Sequence, residues 1–158
     1  MPARGASGKP PGLPPSVKAV AVRMLARRDY SRAELAQRLA HKGIPRDDIE
    51  RALDELAAQG LLSDSRFAGA TVRRKSGEYS KRAIAGTLKA SGVDGDVASQ
   101  ALAASEVDDD DAIVALWLRR FGTPPANDRE KARQVRFLQS RGFSLSAIFK
   151  LLRDPPTH

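Results

Sequence analysis

From Val17 onward, apolar residues recur at the three- and four-residue intervals of a helix with one buried face. Val17, Val20, Ala21, Met24 and Leu25 predict a first helix running to about Arg28. Ser31 is placed to cap a second helix, with Glu34 completing a capping box. Leu35, Ala36, Leu39 and Ala40 form the predicted buried stripe of that helix, and Gly43 ends it. Pro45 suits the first turn of a third helix, which carries Ile49, Ala52, Leu53 and Leu56 inward and stops at Gly60.

The same grammar then returns. Ser63 or Asp64 caps a helix that runs through Phe67, Ala70 and Thr71 to about Lys75. Tyr79-Ser80 opens the next, with Ile84, Ala85 and Leu88, closed by Gly92; Val97, Ala101 and Leu102 follow on another. A last round leads from Asp108 through Asp111 into Ile113, Leu116, Trp117 and Phe121. It continues with Ala132, Val135 and Leu138, stops at Gly142, and ends with Leu145, Ile148, Phe149 and Leu152.

Gly43, Gly92 and Gly142 lie 49 and 50 residues apart. The same offsets superpose Leu39, Leu88 and Leu138, then Ile44, Val93 and Phe143, then Leu53, Leu102 and Leu152, and they align Tyr30-Ser31 with Tyr79-Ser80. Three tandem three-helix repeats follow, at 17–60, 61–106 and 107–153, between a disordered tail at 1–16 and a short tail at 154–158. The expected fold is all-α, an elongated, curved array in which each unit buries its face against the next. Residues 1–16 are rich in Pro and Gly and offer too little apolar surface to offset the entropy of ordering.

Composition narrows the function. The chain of 158 residues is 41% hydrophobic and 29% charged, and it has no Cys, so disulfides and thiolate-ligated zinc are excluded. No apolar run is long enough to span a bilayer, and the N-terminus lacks a signal peptide's apolar stretch, so a cytoplasmic protein with no membrane partner is expected. A net charge of +8 points to an anionic partner without choosing between nucleic acid and an acidic protein surface.

Candidate chemistry is sparse. His41 is the one internal histidine and has no carboxylate near it in sequence, which suits a solvent-facing or capping role. Asp108 to Asp111 lack the glycine turn and distant Glu of a calcium loop, and they suit a helix start, where acids meet free N–H groups. No phosphate-binding glycine loop, nucleophile elbow or paired-carboxylate constellation is found, so no enzyme, cofactor or metal site is expected.

Basic residues carry more. Arg129, Arg133 and Arg136 stand at i, i+4 and i+7 and form one cationic stripe. Arg66 and Arg73 are seven apart, followed by Arg74, Lys81 and Arg82. Arg32, Lys81 and Lys131 fall at equivalent positions in the first turns of their helices, where a cation is unfavourable, a weak hint of a ligand along the array. Ser31 to Leu56 has a helix-turn-helix outline, but Asp47, Asp48, Glu50, Asp54 and Glu55 on its last helix would repel phosphates.

These residues resemble the RecX family. Leu61-Leu62-Ser63-Asp64-Ser65-Arg66-Phe67-Ala68 is similar to that family's signature, and Ser31 through Leu39 with Lys42-Gly43 resembles its first-unit pattern. One departure is the small-residue stretch before the second unit's middle helix, where this chain has Gly77-Glu78-Tyr79-Ser80-Lys81. The resemblance implies a protein that lodges in the groove of a RecA–single-stranded DNA filament, and a monomer is expected. There it would restrain ATP hydrolysis, strand exchange and coprotease activity, with direct contact to single- or double-stranded DNA left open. Arg66, Arg73, Arg74, Lys81, Arg82, Arg129, Arg133 and Arg136 are the expected charged contact. Asp64 and Phe67 are expected to act as cap and core at a unit boundary, and Gly43, Gly92 and Gly142 as the turns of the repeat. The alternative is an independent helical DNA-binding or transcription module.

Overall fold

A computed structural model describes residues 16–157, so the tail expected at 1–16 lies outside the described residues apart from Ser16. Among the described residues there are nine helices and no strand. They are α1 (Val17–Arg27), α2 (Arg32–His41), α3 (Arg46–Ala58), α4 (Asp64–Lys75), α5 (Lys81–Ala90), α6 (Gly95–Ala103), α7 (Asp109–Arg120), α8 (Asp128–Ser140) and α9 (Leu145–Arg153). They form three tandem three-helix units, as the period of the sequence predicts.

Local chemistry sets the helix starts. Ser16, Ser63 and Asp108 cap the first helix of each unit, accepting from the amides of Ala19, Arg66 and Asp111. Ser63, rather than Asp64, is therefore the cap of α4. Ser31 makes the full capping box with Glu34, and Ser80 caps α5 through the Ala83 amide. Gly43, Gly92 and Gly142 end α2, α5 and α8 with φ of 86°, 79° and 92°, a backbone region that side chains rarely tolerate.

The core is not continuous, contrary to the expectation that each unit buries its face on the next. Leu35, Leu39, Leu53 and Leu56 are fully buried in the first unit, beside Ala21, Tyr30, Ile49 and Leu62. Phe67, Ala68, Val72, Ile84, Leu88, Val93 and Ala98 form a second cluster, and Trp117, Leu138, Phe143 and Ile148 anchor a third. Three helices already enclose an apolar centre, and burying a Leu or Ile there contributes about 1.5–3 kcal/mol. Little apolar surface is left over to fuse the units.

The stripes also differ at their edges. Ala40 and Ala132 are exposed, as are Leu145 and Phe149, while Leu151 turns inward. Gln134 is buried where the first two units carry Leu35 and Ile84. Its Oε1 accepts the Trp117 indole N–H at 2.9 Å, and its Nε2 donates to the Thr123 carbonyl at 3.1 Å. An indole N–H without a partner would cost more than the leucine gained, which explains the amide in the core.

Polar joints connect the units end to end. The C-terminal turn of α5 meets the start of α2, and that of α8 meets the start of α5. Ser31 Oγ donates to the Ser91 carbonyl at 2.5 Å, and the Ser80 amide donates to the Arg141 carbonyl at 2.9 Å. A Cβ on Gly92 would overlap Ala33, and one on Gly142 would overlap Ser80 and Ala83, whereas one on Gly43 would meet nothing. Two of the repeat's glycines are thus needed for close approach as well as for backbone angle; Gly43, with no described residue packed on it, is needed only for the angle.

Candidate functional site

The surface of interest is cationic, and the joints decide which cations are free to act. Asp64 and Asp109 each begin the first helix of a unit and reach back to the unit before it. Asp64 Oδ1 accepts the Arg32 amide at 2.8 Å, and Asp109 Oδ1 accepts the Lys81 amide at 2.9 Å. Each carboxylate satisfies one free N–H at the start of the neighbour's middle helix and offsets the cation that stands there. Asp64 is a cap at the unit boundary, then, but for α2 and not for its own helix. Phe67 is core of the second unit and lines the crevice facing the first.

Arg66 is exposed, yet its charge is engaged. Its Nη1 and Nη2 donate to the Gly60 and Leu61 carbonyls at 3.1 Å each, and Nε lies 3.6 Å from Asp29. Those carbonyls end α3, so Arg66 clamps the chain between the first two units. Arg32 is likewise consumed, at 2.6 Å from Asp54 and 3.4 Å from Glu50, and the hydrogen bond to Asp54 raises the pKa of its guanidinium. Lys131 lies over the Phe149 ring at 5.6 Å. The three equivalent cations Arg32, Lys81 and Lys131 therefore have three different surroundings.

Arg73, Arg74, Arg82, Arg129, Arg133 and Arg136 are exposed, and Lys81 is half-buried. Among the described residues, none of these seven has a carboxylate within ion-pair distance. They are not all brought together. Arg73 lines a crevice between α4 and α6, while its neighbour Arg74 lines the crevice at the first joint. Arg129, Arg133 and Arg136 remain one stripe along α8.

Sequence reasoning missed a chain of alternating cations and rings across the second joint. Lys75 Nζ lies 4.6 Å from the centre of the Tyr79 ring, whose partner Arg141 sits at 4.9 Å. Arg141 is also 4.8 Å from the Phe137 ring, which Arg120 approaches at 5.0 Å. Phe137 meets Phe121 edge-on at 5.5 Å, and Arg133 closes the run 5.5 Å from Phe121. Rings holding guanidinium groups restrict their rotamers and present rigid hydrogen-bond forks at little entropic cost. The available signal was the recurrence of Arg beside an aromatic, in Arg120-Phe121 and Arg136-Phe137.

Such a surface can bind a polyanion and stack on exposed bases. Among the described residues, no group of His, Asp or Glu is placed to hold a metal ion, and no helix is long and apolar enough to cross a membrane.

Comparison with known proteins places these three units in order. Residues 18–56, 63–102 and 108–152 match the models of the first, second and third three-helix domains of RecX. The chain is 43% identical over 139 residues to the regulatory protein RecX of Leptothrix cholodnii, covering 87% of this chain and 88% of that one. Against the regulatory protein RecX of Chromobacterium violaceum it is 42% identical over 137 residues, covering 87% and 89%. The crystal structure of RecX from Lactobacillus salivarius superposes with a TM-score of 0.67 at 20% identity, covering 87% of this chain and 93% of that one, a likeness of fold.

Proposed function

The chain belongs to the RecX family, and from that premise we propose that it is a non-enzymatic regulator of the RecA recombinase. It binds the RecA–single-stranded DNA filament in the cytoplasm, as a monomer, and lowers the filament's ATP hydrolysis, strand exchange and coprotease activity. The supporting observation is the set of cations without carboxylate partners on the second and third units, one of which, Arg133, joins the rings at their joint. Arg73, Arg74, Lys81, Arg82, Arg129, Arg133 and Arg136 make the charged contact; Arg66 contributes by holding the first joint. A chain of small units linked by polar joints can lie along several protomers of a filament without a large rigid interface. Direct contact with the bound single strand falls to the cation–ring run, since stacking and phosphate contacts need no base-specific reading.

The test is RecA's single-stranded-DNA-dependent ATP hydrolysis with this protein titrated in. Inhibition well below one copy per RecA protomer is expected. No effect at excess would discard the reading, and sequence-dependent binding to duplex without RecA would put a transcription module in its place.

A further inference from the structure

Among the described residues, the first unit has an open cationic cleft, whereas at the equivalent places in the other two units the preceding unit brings acidic groups close. Arg23 and Arg27 of α1 line it with Arg38, His41 and Lys42 from the end of α2, over Val20, Met24 and Tyr30, in a volume of about 640 Å³. Among the described residues, none of Arg23, Arg27, Arg38 and Lys42 has a carboxylate within ion-pair distance.

The repeat says what such a cleft receives. Aligning the N-caps Ser16, Ser63 and Asp108 brings Arg27, Arg74 and Arg119 into one register. In the third unit Arg119 pairs with Glu78 of the preceding unit at 3.7 Å. In the second, Arg74 lines a crevice of about 520 Å³ to which the preceding unit brings Arg28, Asp29 and Glu34, with Glu34 paired to Arg28 and Asp29 to Arg66. Asp29 and Glu78 are themselves equivalent, each standing just before the buried or half-buried tyrosine of its unit. Among the described residues, no acidic group stands in the equivalent place beside Arg27.

A bland account is that a unit face left unpacked is polar, and that cations complement helix C-termini. Charge decides against this as the whole explanation. Two helix ends supply roughly −0.5 each, whereas Arg23, Arg27, Arg38 and Lys42 supply four positive charges. A large net positive potential remains in a concave site. Arg38 is also held over the Tyr30 ring at 5.5 Å, which leaves its guanidinium partly ordered before any ligand arrives.

We propose that this cleft docks an acidic protein segment of a partner, one that places carboxylates against Arg27 and Arg38 as Glu78 is placed against Arg119. The site is separate from the cations of the second and third units, so it stands or falls independently of the filament contact proposed for them.

The experiment is fluorescence-anisotropy binding of the full chain to a labelled Glu-rich peptide at low salt, against its Gln-rich counterpart and a labelled oligo-dT. Peptide binding should fall by about tenfold or more in Arg27→Glu/Arg38→Glu and persist in Arg129→Glu/Arg133→Glu/Arg136→Glu. Circular dichroism should show both variants equally helical. Three results would overturn the proposal: no preference for the Glu peptide, loss only in the third-unit variant, or a cleft variant that loses oligo-dT while keeping the peptide. If the double variant unfolds, amide chemical shifts of the wild-type chain under peptide titration decide. Shifts confined to residues outside 20–42 would reject the site.

Discussion

The two joints of the array are built on one plan and finished with different chemistry. In each, an aspartate at the start of a first helix reaches back to an amide of the preceding unit, at 2.8 Å for Asp64 and 2.9 Å for Asp109. In each, a glycine turn rests on the start of a middle helix. The first joint then adds a clamp of polar bonds, with Arg66 on two carbonyls and Asp29, and Ser31 on the Ser91 carbonyl. The second keeps one such bond, the Ser80 amide on the Arg141 carbonyl, and adds rings, with Arg141 between Tyr79 and Phe137 and the exposed ion pair Arg119–Glu78 beside them. The shared part lies at the backbone, where geometry leaves few solutions. The differing part lies in the side chains: the first joint engages its arginine internally, and the second sets cations against half-buried rings.

The strongest way to break the shared plan is to fill the glycine turns. Gly92→Ala and Gly142→Ala combine an unfavourable backbone angle with overlap across the joint, and each should destabilise by about 2–4 kcal/mol. Gly43→Ala has the angle without the overlap and should cost about 1 kcal/mol. Chemical denaturation of the three variants checks the ranking, and equal losses would contradict it.

Removing the reaching carboxylates is milder. Asp64→Ala and Asp109→Ala should each cost about 1 kcal/mol, the usual worth of a lost helix cap, with matching midpoints if the joints share one plan. Exchange of the Arg32 amide should speed up only in the first variant and that of Lys81 only in the second.

The difference between joints is sharpened by arginine. Arg66→Ala should loosen the first joint by about 1 kcal/mol while leaving oligonucleotide binding unchanged. Arg141→Ala should cost about 0.5–1 kcal/mol and should also weaken oligonucleotide binding. The smallest change expected is Glu78→Gln, under about 0.5 kcal/mol, because both partners of that pair are exposed.

Much of this molecule was legible in its sequence. Helix period, capping serines and terminating glycines are local signals, and the offsets between Gly43, Gly92 and Gly142 carry the repeat in the sequence itself. The joints were not legible, because their partners lie far apart along the chain: Arg32 with Asp64, Lys81 with Asp109, Ser31 with Ser91. Arg66 reads in sequence as one more surface cation, and only the approach of the Gly60 and Leu61 carbonyls gives it another task. Gln134 sits on a polar-looking position of α8, and the buried indole that needs it comes from a different helix. The division into three cores escaped for a related reason: periodicity reports which face is buried, not which neighbour buries it.

The exposed cations of the second and third units are proposed to hold the chain to the filament. Co-sedimentation of Arg129→Glu/Arg133→Glu/Arg136→Glu with preassembled RecA–single-stranded DNA filaments tests this most directly. Binding should fall by about tenfold or more relative to the unaltered chain at low salt, with helical content unchanged and the difference narrowing as salt rises. Undiminished co-sedimentation of the well-folded variant would contradict the account.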